Sequence, residues 1–126
     1  MFEIYQISPQ QFDAMLQPMP NREVALFAAK RSAEILVGLR ESNPIAFVGF
    51  APPTLISDSA YVWMIENNPT AADRFLFARY SRGLIETGLL KYSRLYGHCF
   101  SPKSARWLRW LGAEFTTATE FEIRRP

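Results

Sequence analysis

The chain reads as an α/β protein with a mixed central sheet flanked by helices, and three observations predict it. Extended and helical hydrophobic periods alternate along the whole length. A nearly continuous apolar run, Ser59 to Glu66 (SAYVWMIE), leads into a long helical stretch and then another strand, the pattern of a parallel crossover. Two further extended runs, ILVGLR and IAFVGF, stand either side of a turn and add an antiparallel hairpin, which makes the sheet mixed.

Phe2, Ile4 and Ile7 mark a first short strand, since aromatic and β-branched side chains suit a pleated, half-buried surface. Ser8-Pro9-Gln10-Gln11 places a capping hydroxyl, a proline at the first helical position and a glutamine three residues after the cap, which predicts a helix to about Leu16. Pro18 and Pro20 interrupt it, and Asn21 caps a second helix whose apolar face carries Val24, Phe27 and Ala28. From Ile35 the period becomes extended, with a turn at Glu41-Ser42-Asn43-Pro44, and Pro52 and Pro53 close the hairpin. The run from Ser59 to Glu66 lacks polar alternation, so it belongs near the centre of the sheet, covered on both faces.

Asn67-Asn68-Pro69 stops that strand. Thr70, with Asp73 three residues later, caps the longest helix, expected to run to about Tyr92 with Phe77, Tyr80, Leu84 and Leu90 on its core face. A strand from Arg94 to Phe100 follows. Ser101-Pro102 then repeats the cap-proline signal and opens a helix that ends at Gly112, a residue suited to the left-handed position beyond a helix. Trp107 and Trp110 lie three apart on it, one ring to anchor the helix and the other to face outward. Phe115 to Thr117 and Glu120 to Ile123 are short enough to form a closing pair of strands.

At 126 residues and 48% hydrophobic content, residues 1–126 are expected to form one domain that needs no disulfide or metal for stability. The single cysteine, Cys99, and the single histidine, His98, cannot supply four protein ligands, so no metal is expected. The opening MFEIYQISPQ lacks a basic segment followed by an apolar one, and no stretch of about 18 apolar residues occurs. The expectation is a soluble, cytoplasmic protein without a membrane partner. A net charge of +2 argues against nucleic acid as a partner. The aromatic content of 14% calls for a core or a binding face to hold it.

The element order, together with the segment Ser101-Pro-Lys-Ser-Ala-Arg-Trp-Leu-Arg-Trp-Leu-Gly-Ala-Glu-Phe115, resembles the GNAT N-acetyltransferase superfamily and its N-x-x-A-x-x-x-Y-x-x-x-G-F motif. The small size and the Trp107-Leu108-Arg109-Trp110-Leu111-Gly112-Ala113-Glu114-Phe115 ending also look like small acyltransferase-like proteins of short-tailed bacteriophages, some labelled internal virion proteins. The first resemblance implies a GNAT-like acyl-CoA N-acyltransferase fold, acetyl-CoA or another acyl-CoA as co-substrate, and an amine acceptor. The second implies a host bacterial cytoplasm or a virion as the location, and a host enzyme or virion component as a partner for a non-catalytic descendant of the fold.

By the same resemblance Met64 and Ile65 on the central strand, Thr70, Ala71, Ala72 and Arg74 at the start of the long helix, and Ser101 and Ser104 on the last helix are the cofactor-binding candidates. The family's phosphate loop is glycine-rich, because glycines let backbone N–H groups approach phosphate. Here Asn68 to Arg74 contains no glycine, and Asp73 would oppose a pyrophosphate. At the position of the family's general-acid tyrosine stands Leu108, which has no proton to give.

Two residues are the catalytic candidates. Glu66 ends the central strand, where a carboxylate could accept a proton from the attacking amine; the alternative is a solvated strand-end carboxylate. His98 could act as base or shuttle, or could be a packed histidine. Cys99 beside it points to the opposite face of the strand, which excludes a Cys-His nucleophilic pair. Of the arginines on the two helices, only Arg74 falls in a first turn, where an anion would be held.

Overall fold

The structure is a computed structural model that describes residues 2–67, 70–100 and 102–126. The chain runs β1 (Phe2–Ile7), α1 (Pro9–Met15), α2 (Arg22–Arg31), β2 (Glu34–Arg40), β3 (Asn43–Ala51), β4 (Ser59–Glu66), α3 (Ala71–Lys91), β5 (Arg94–His98), α4 (Pro102–Trp110), β6 (Glu114–Phe115) and β7 (Glu120–Arg124). This is the predicted order of elements. The strands form one sheet in the order β1-β2-β3-β4-β5-β7-β6, antiparallel throughout except for the parallel β4–β5 pair. The run Ser59–Glu66 is thus the middle strand of seven.

Local signals account for the helix boundaries. Ser8 Oγ accepts from the Gln11 N–H at 3.1 Å while Gln11 Oε1 accepts from the Ser8 N–H at 2.8 Å, the reciprocal capping box. Thr70 and Asp73 make the same pair of bonds at the start of α3. Gly112 takes φ +100° after α4, as predicted. The cap assigned to Ser101 lies outside the described residues. Asn21 differs: it adopts a left-handed conformation, with φ 60°, and its side chain caps nothing. The hairpin is also tighter than its sequence suggests, because Glu41 and Ser42 both take positive φ and Asn43 and Pro44 already pair with Arg40 and Leu39.

The sheet separates two cores. On one face α3 and α4 cover Val48, Phe50, Val62, Leu95 and Phe121; on the other α1 and α2 cover Ile35, Val37, Phe47 and Trp63. Val62 and Trp63 are buried on opposite faces, which is why β4 reads as continuously apolar. Phe12 of α1 meets Phe47 and Trp63 edge to face, with ring centroids 4.8 and 5.4 Å apart.

The helix faces chosen by side-chain size need correction. α2 packs through Ala25 and Ala29, while Val24 and Phe27 point outward and the Arg31 guanidinium covers the Phe27 ring at 4.6 Å. On α3 the buried residues beyond the capping Asp73 are Ser81, Leu84, Ile85, Gly88 and Leu89, with Phe77 partly buried. Tyr80 instead stacks on Phe2 at the surface, and Leu90 is 82% exposed. Small residues allow helix and sheet to approach closely, and a large apolar residue one position off the contact line stays outside. On α4, Trp107 is half-buried and donates from Nε1 to Ser81 Oγ at 3.1 Å, whereas Trp110 is exposed beneath Arg82.

Gly97 of β5 sits where no side chain fits: a Cβ there would lie 2.8 Å from the Val62 carbonyl oxygen and 2.9 Å from the Phe121 ring. Overpacking against backbone typically costs about 1–3 kcal/mol. Gly97→Ala is expected to lower the urea midpoint by that equivalent, and an unchanged midpoint would mean that β4 and β5 part freely at this point.

Candidate functional site

β4 and β5 pair over Ser59–Arg94, Ala60–Leu95 and Tyr61–Tyr96 only. Beyond that point each strand continues against its other neighbour, β4 against β3 as far as Glu66 and β5 against β7 as far as His98. The strands therefore splay. Beyond Val62, whose carbonyl oxygen still lies against Gly97 of β5, Met64 and Glu66 present backbone N–H and C=O groups that no strand meets on the β5 side. Two cavities open in and beside the split. One, of about 480 Å³, lies between the end of β4 and the starts of α3 and α4. The other, of about 440 Å³, lies between β4, β5 and α4. Met64, Ser104 and Trp107 border both.

The first cavity is bordered by Glu66, Asp73, Arg74 and Lys103 together with apolar groups. The Arg74 guanidinium contacts Glu66 Oε2 at 3.2 Å through both Nε and Nη2, and both side chains are more than half exposed. Asp73 is only 6% exposed, and its Oδ1 accepts from Arg40 Nη1 at 2.9 Å. The Thr70 backbone N–H, followed by Arg40, holds the Asp73 carboxyl below the usual carboxylate range. Lys103 makes no ion pair among the described residues. Behind the cavity, Asn67 secures the end of β4: its Oδ1 accepts from the Gln17 N–H at 2.8 Å, and its Nδ2 donates to the carbonyls of Pro44 at 2.9 Å and Met15 at 3.3 Å.

The second cavity is largely aromatic. The Tyr61 hydroxyl lies 3.4 Å from His98 Nδ1, and the His98 ring stacks parallel to Phe100. Burial, with a smaller contribution from Tyr96, pushes the Tyr61 phenol above its ordinary value, so it keeps its proton. Tyr96 packs edge to face on Tyr61 at 5.7 Å and carries the Arg94 guanidinium over its ring at 4.8 Å. Glu122 accepts from Arg94 at 2.6 Å and from Arg124 at 2.9 Å. Cys99 is buried and Leu108 is packed into the core.

No protein-family model and no curated protein matches the sequence. Solved structures do. The IAA acetyltransferase from Bacillus cereus superposes with a TM-score of 0.77 at 10% identity, covering 99% of this chain and 100% of that one. A probable acetyltransferase of the GNAT family from Chromobacterium violaceum gives 0.72 at 16% identity over 98% and 87% of the two chains. The Bacillus subtilis acetyltransferase solved in complex with CoA gives 0.72 at 7% identity over 99% and 98%. The fold is that of the GNAT acetyltransferases.

Within this GNAT fold the candidate residues divide into separate groups. Glu66 and Arg74 meet each other at the first cavity; His98 meets Tyr61 at the second; Met64 and Ser104 border both, and Ile65 borders the first. Glu66 and His98 are not brought together. Thr70, Ala71 and Ala72 are exposed at the start of α3 and line neither cavity, and Ser101 lies outside the described residues. Asp73, expected to repel an anion, is held between Thr70 and Arg40. The residues that sequence reasoning missed are Tyr61 and Lys103. Tyr61 reads as one more apolar strand residue, and only the Tyr61–Tyr96 register puts its hydroxyl beside His98.

Among the described residues no three His, Cys, Asp or Glu side chains converge to hold a metal, and no helix is long and apolar enough to cross a membrane. Because the Asp73 carboxyl titrates lower in the folded state, its contribution is present above the unfolded-state value and is lost as pH falls through the folded one. Asp73→Asn is expected to lower the urea midpoint at pH 7, with the gap from the parent narrowing as pH drops toward about 3. A gap that stays constant with pH would rule out the charged contribution.

Proposed function

We propose that this chain is an acyl-CoA-dependent N-acyltransferase that moves an acyl group from acetyl-CoA or another acyl-CoA to an amine. The observation that carries the reading is the split between β4 and β5, with one cavity on either side of Met64 and Trp107, in a fold shared with acetyltransferases. The unmatched backbone groups of β4 from Met64 to Glu66 suit the amides of an extended acyl-CoA arm, and Met64 and Ile65 flank it. Ala71 and Ala72, with their N–H groups at the start of α3, and Arg74 suit its phosphates. Arg74 would exchange Glu66 for phosphate, a small loss for an exposed pair already screened by water. Lys103 and Ser104 approach the same cavity from α4.

Chemistry belongs to the second cavity. The amine nitrogen attacks the thioester carbonyl, the C–N bond forms and the C–S bond breaks. His98 takes the proton that leaves nitrogen. Tyr61 gives its hydroxyl proton to the departing thiolate and recovers one from His98, so the pair ends as it began. Tyr61 thereby supplies the phenol that Leu108 lacks. Glu66 stands at the mouth of the other cavity, as partner of Arg74 until phosphate replaces it.

Titration calorimetry with acetyl-CoA tests the reading. Binding is expected, and Arg74→Ala should weaken it about tenfold, the value of one charge-assisted phosphate contact. His98→Ala should reduce kcat by about 10²–10⁴ while leaving acetyl-CoA affinity intact. Absence of binding at millimolar acetyl-CoA would end the proposal.

A second reading, a protein that uses this fold to bind a host enzyme or virion component, draws on the adjacent and fully exposed Leu55 and Ile56 of the β3–β4 loop. Capture of a stoichiometric partner from bacterial lysate, without turnover of acyl-CoA, would favour it.

A further inference from the structure

We propose that the amine acceptor is a primary aromatic amine, a flat and uncharged molecule whose nitrogen is already the free base at neutral pH. This deepens the acyl-transfer reading and rests on it. The second cavity has no Asp, Glu, Lys or Arg among its described lining residues; its titratable groups are Tyr61, His98 and Cys99. β7, the neighbour of β5, carries two carboxylates. Glu122 is engaged by Arg94 and Arg124, and Glu120, opposite His98 in the β5–β7 register, is exposed and outside the lining.

An alkylammonium entering this cavity would leave water with no counter-charge among the described residues that line it. Aromatic faces can stand in for a carboxylate, but of those that line the cavity Trp63 and Phe121 are buried, Tyr61 packs against Tyr96, Trp107 against Phe77, and His98 is stacked with Phe100. An aromatic amine needs neither substitute. Its lone pair is shared with the ring, so it stays unprotonated, and the ring adds contact with Tyr61 and Phe100. A cavity of about 440 Å³ has room for one substituted ring beside a thioester.

The proton inventory points the same way. An alkylammonium must lose a proton before it can attack, and the carboxylate able to take it, Glu66, lies in the other cavity against Arg74. An aromatic amine loses its proton only as the C–N bond forms. His98 accepts that proton, the C–S bond breaks, and the thiolate is protonated through Tyr61. The products are an N-aryl amide and free CoA, with no proton left over.

Aniline, benzylamine and spermidine distinguish the acceptor classes, since benzylamine carries the same ring on an alkylammonium. With the full chain and acetyl-CoA at pH 7, thiol release is expected to give a kcat/KM for aniline at least tenfold above that for benzylamine, with spermidine lower again. Without acetyl-CoA, aniline should quench the fluorescence of Trp63 and Trp107, which border the cavity, with at least tenfold higher affinity than benzylamine. Phe100→Ala, at an exposed position where folding is not at stake, should cost aniline about tenfold in kcat/KM. Equal or better performance of benzylamine or spermidine would overturn the acceptor class. Calorimetry with acetyl-CoA separates the failures. If acetyl-CoA binds and benzylamine is preferred, the acceptor class alone falls; if acetyl-CoA does not bind, the transfer reading falls, and an equal quench by aniline and benzylamine removes the acceptor class too.

Discussion

The parallel contact between β4 and β5 stops after three residue pairs, and the cavities, the free backbone edge and the meeting of distant side chains all depend on that stop. Two parallel strands can continue only if both remain flat enough to share a ladder. Here each is committed elsewhere: β4 is bound to β3 as far as Glu66 and its end is fixed by Asn67, while β5 is bound to β7 as far as His98. Sheet twist then turns the two halves away from each other. The Tyr61 and Tyr96 rings close the apex, and Gly97 takes the tight position immediately beyond it. The split is consequently a rigid feature of the sheet, formed by elements with buried anchors on both faces, and it needs no loop closure to exist.

Around the split Glu66, Asp73 and Glu122 are each engaged by an arginine, and the more buried two also receive a backbone donor or a second arginine. Asp73 completes the cap of α3 and accepts from Arg40, so its charge is taken up before any anion arrives. Glu122 is shared by two arginines on the outer face. Glu66 is held by Arg74 through an exposed contact. The buried, multiply bonded carboxylate serves the architecture, while the exposed pair is the one that can be exchanged, because water and salt already weaken it. That leaves the exchangeable ion pair at the first cavity, while the described residues that line the second carry no ion pair.

Element order was legible because it rests on local signals. Capping boxes at Ser8 and Thr70, proline at the first helical position and the absence of alternation in β4 each act within a few residues. The helix faces were less legible. Ala25 and Ala29 on α2, and Ser81 and Gly88 on α3, define contact lines by their smallness, whereas the sequence draws attention to Phe27, Tyr80 and Leu90. The site was legible only in part. Glu66, Arg74 and His98 could be singled out by residue type and place, but their partners follow from register: Tyr61 reaches His98 across 37 positions of sequence, and no pattern in SAYVWMIE marks one aromatic as different from its neighbours.

Leu108 brings these constraints together. It occupies the position where the resembled motif carries a tyrosine, yet it is 2% exposed and belongs to the core beneath α4. A phenol there would have to fit between packed side chains on one side and the second cavity, which Leu108 borders, on the other. The hydroxyl has its place on the sheet instead, at Tyr61, where β4 is held by β3 along its length and β5 fixes His98 opposite. A hydroxyl carried by two paired strands keeps its geometry without help from the start of α4. Leu108→Tyr would therefore load both the core and the wall of the cavity, and the meeting of Tyr61 with His98 depends on the register between β4 and β5 rather than on the helix that carries the resembled motif.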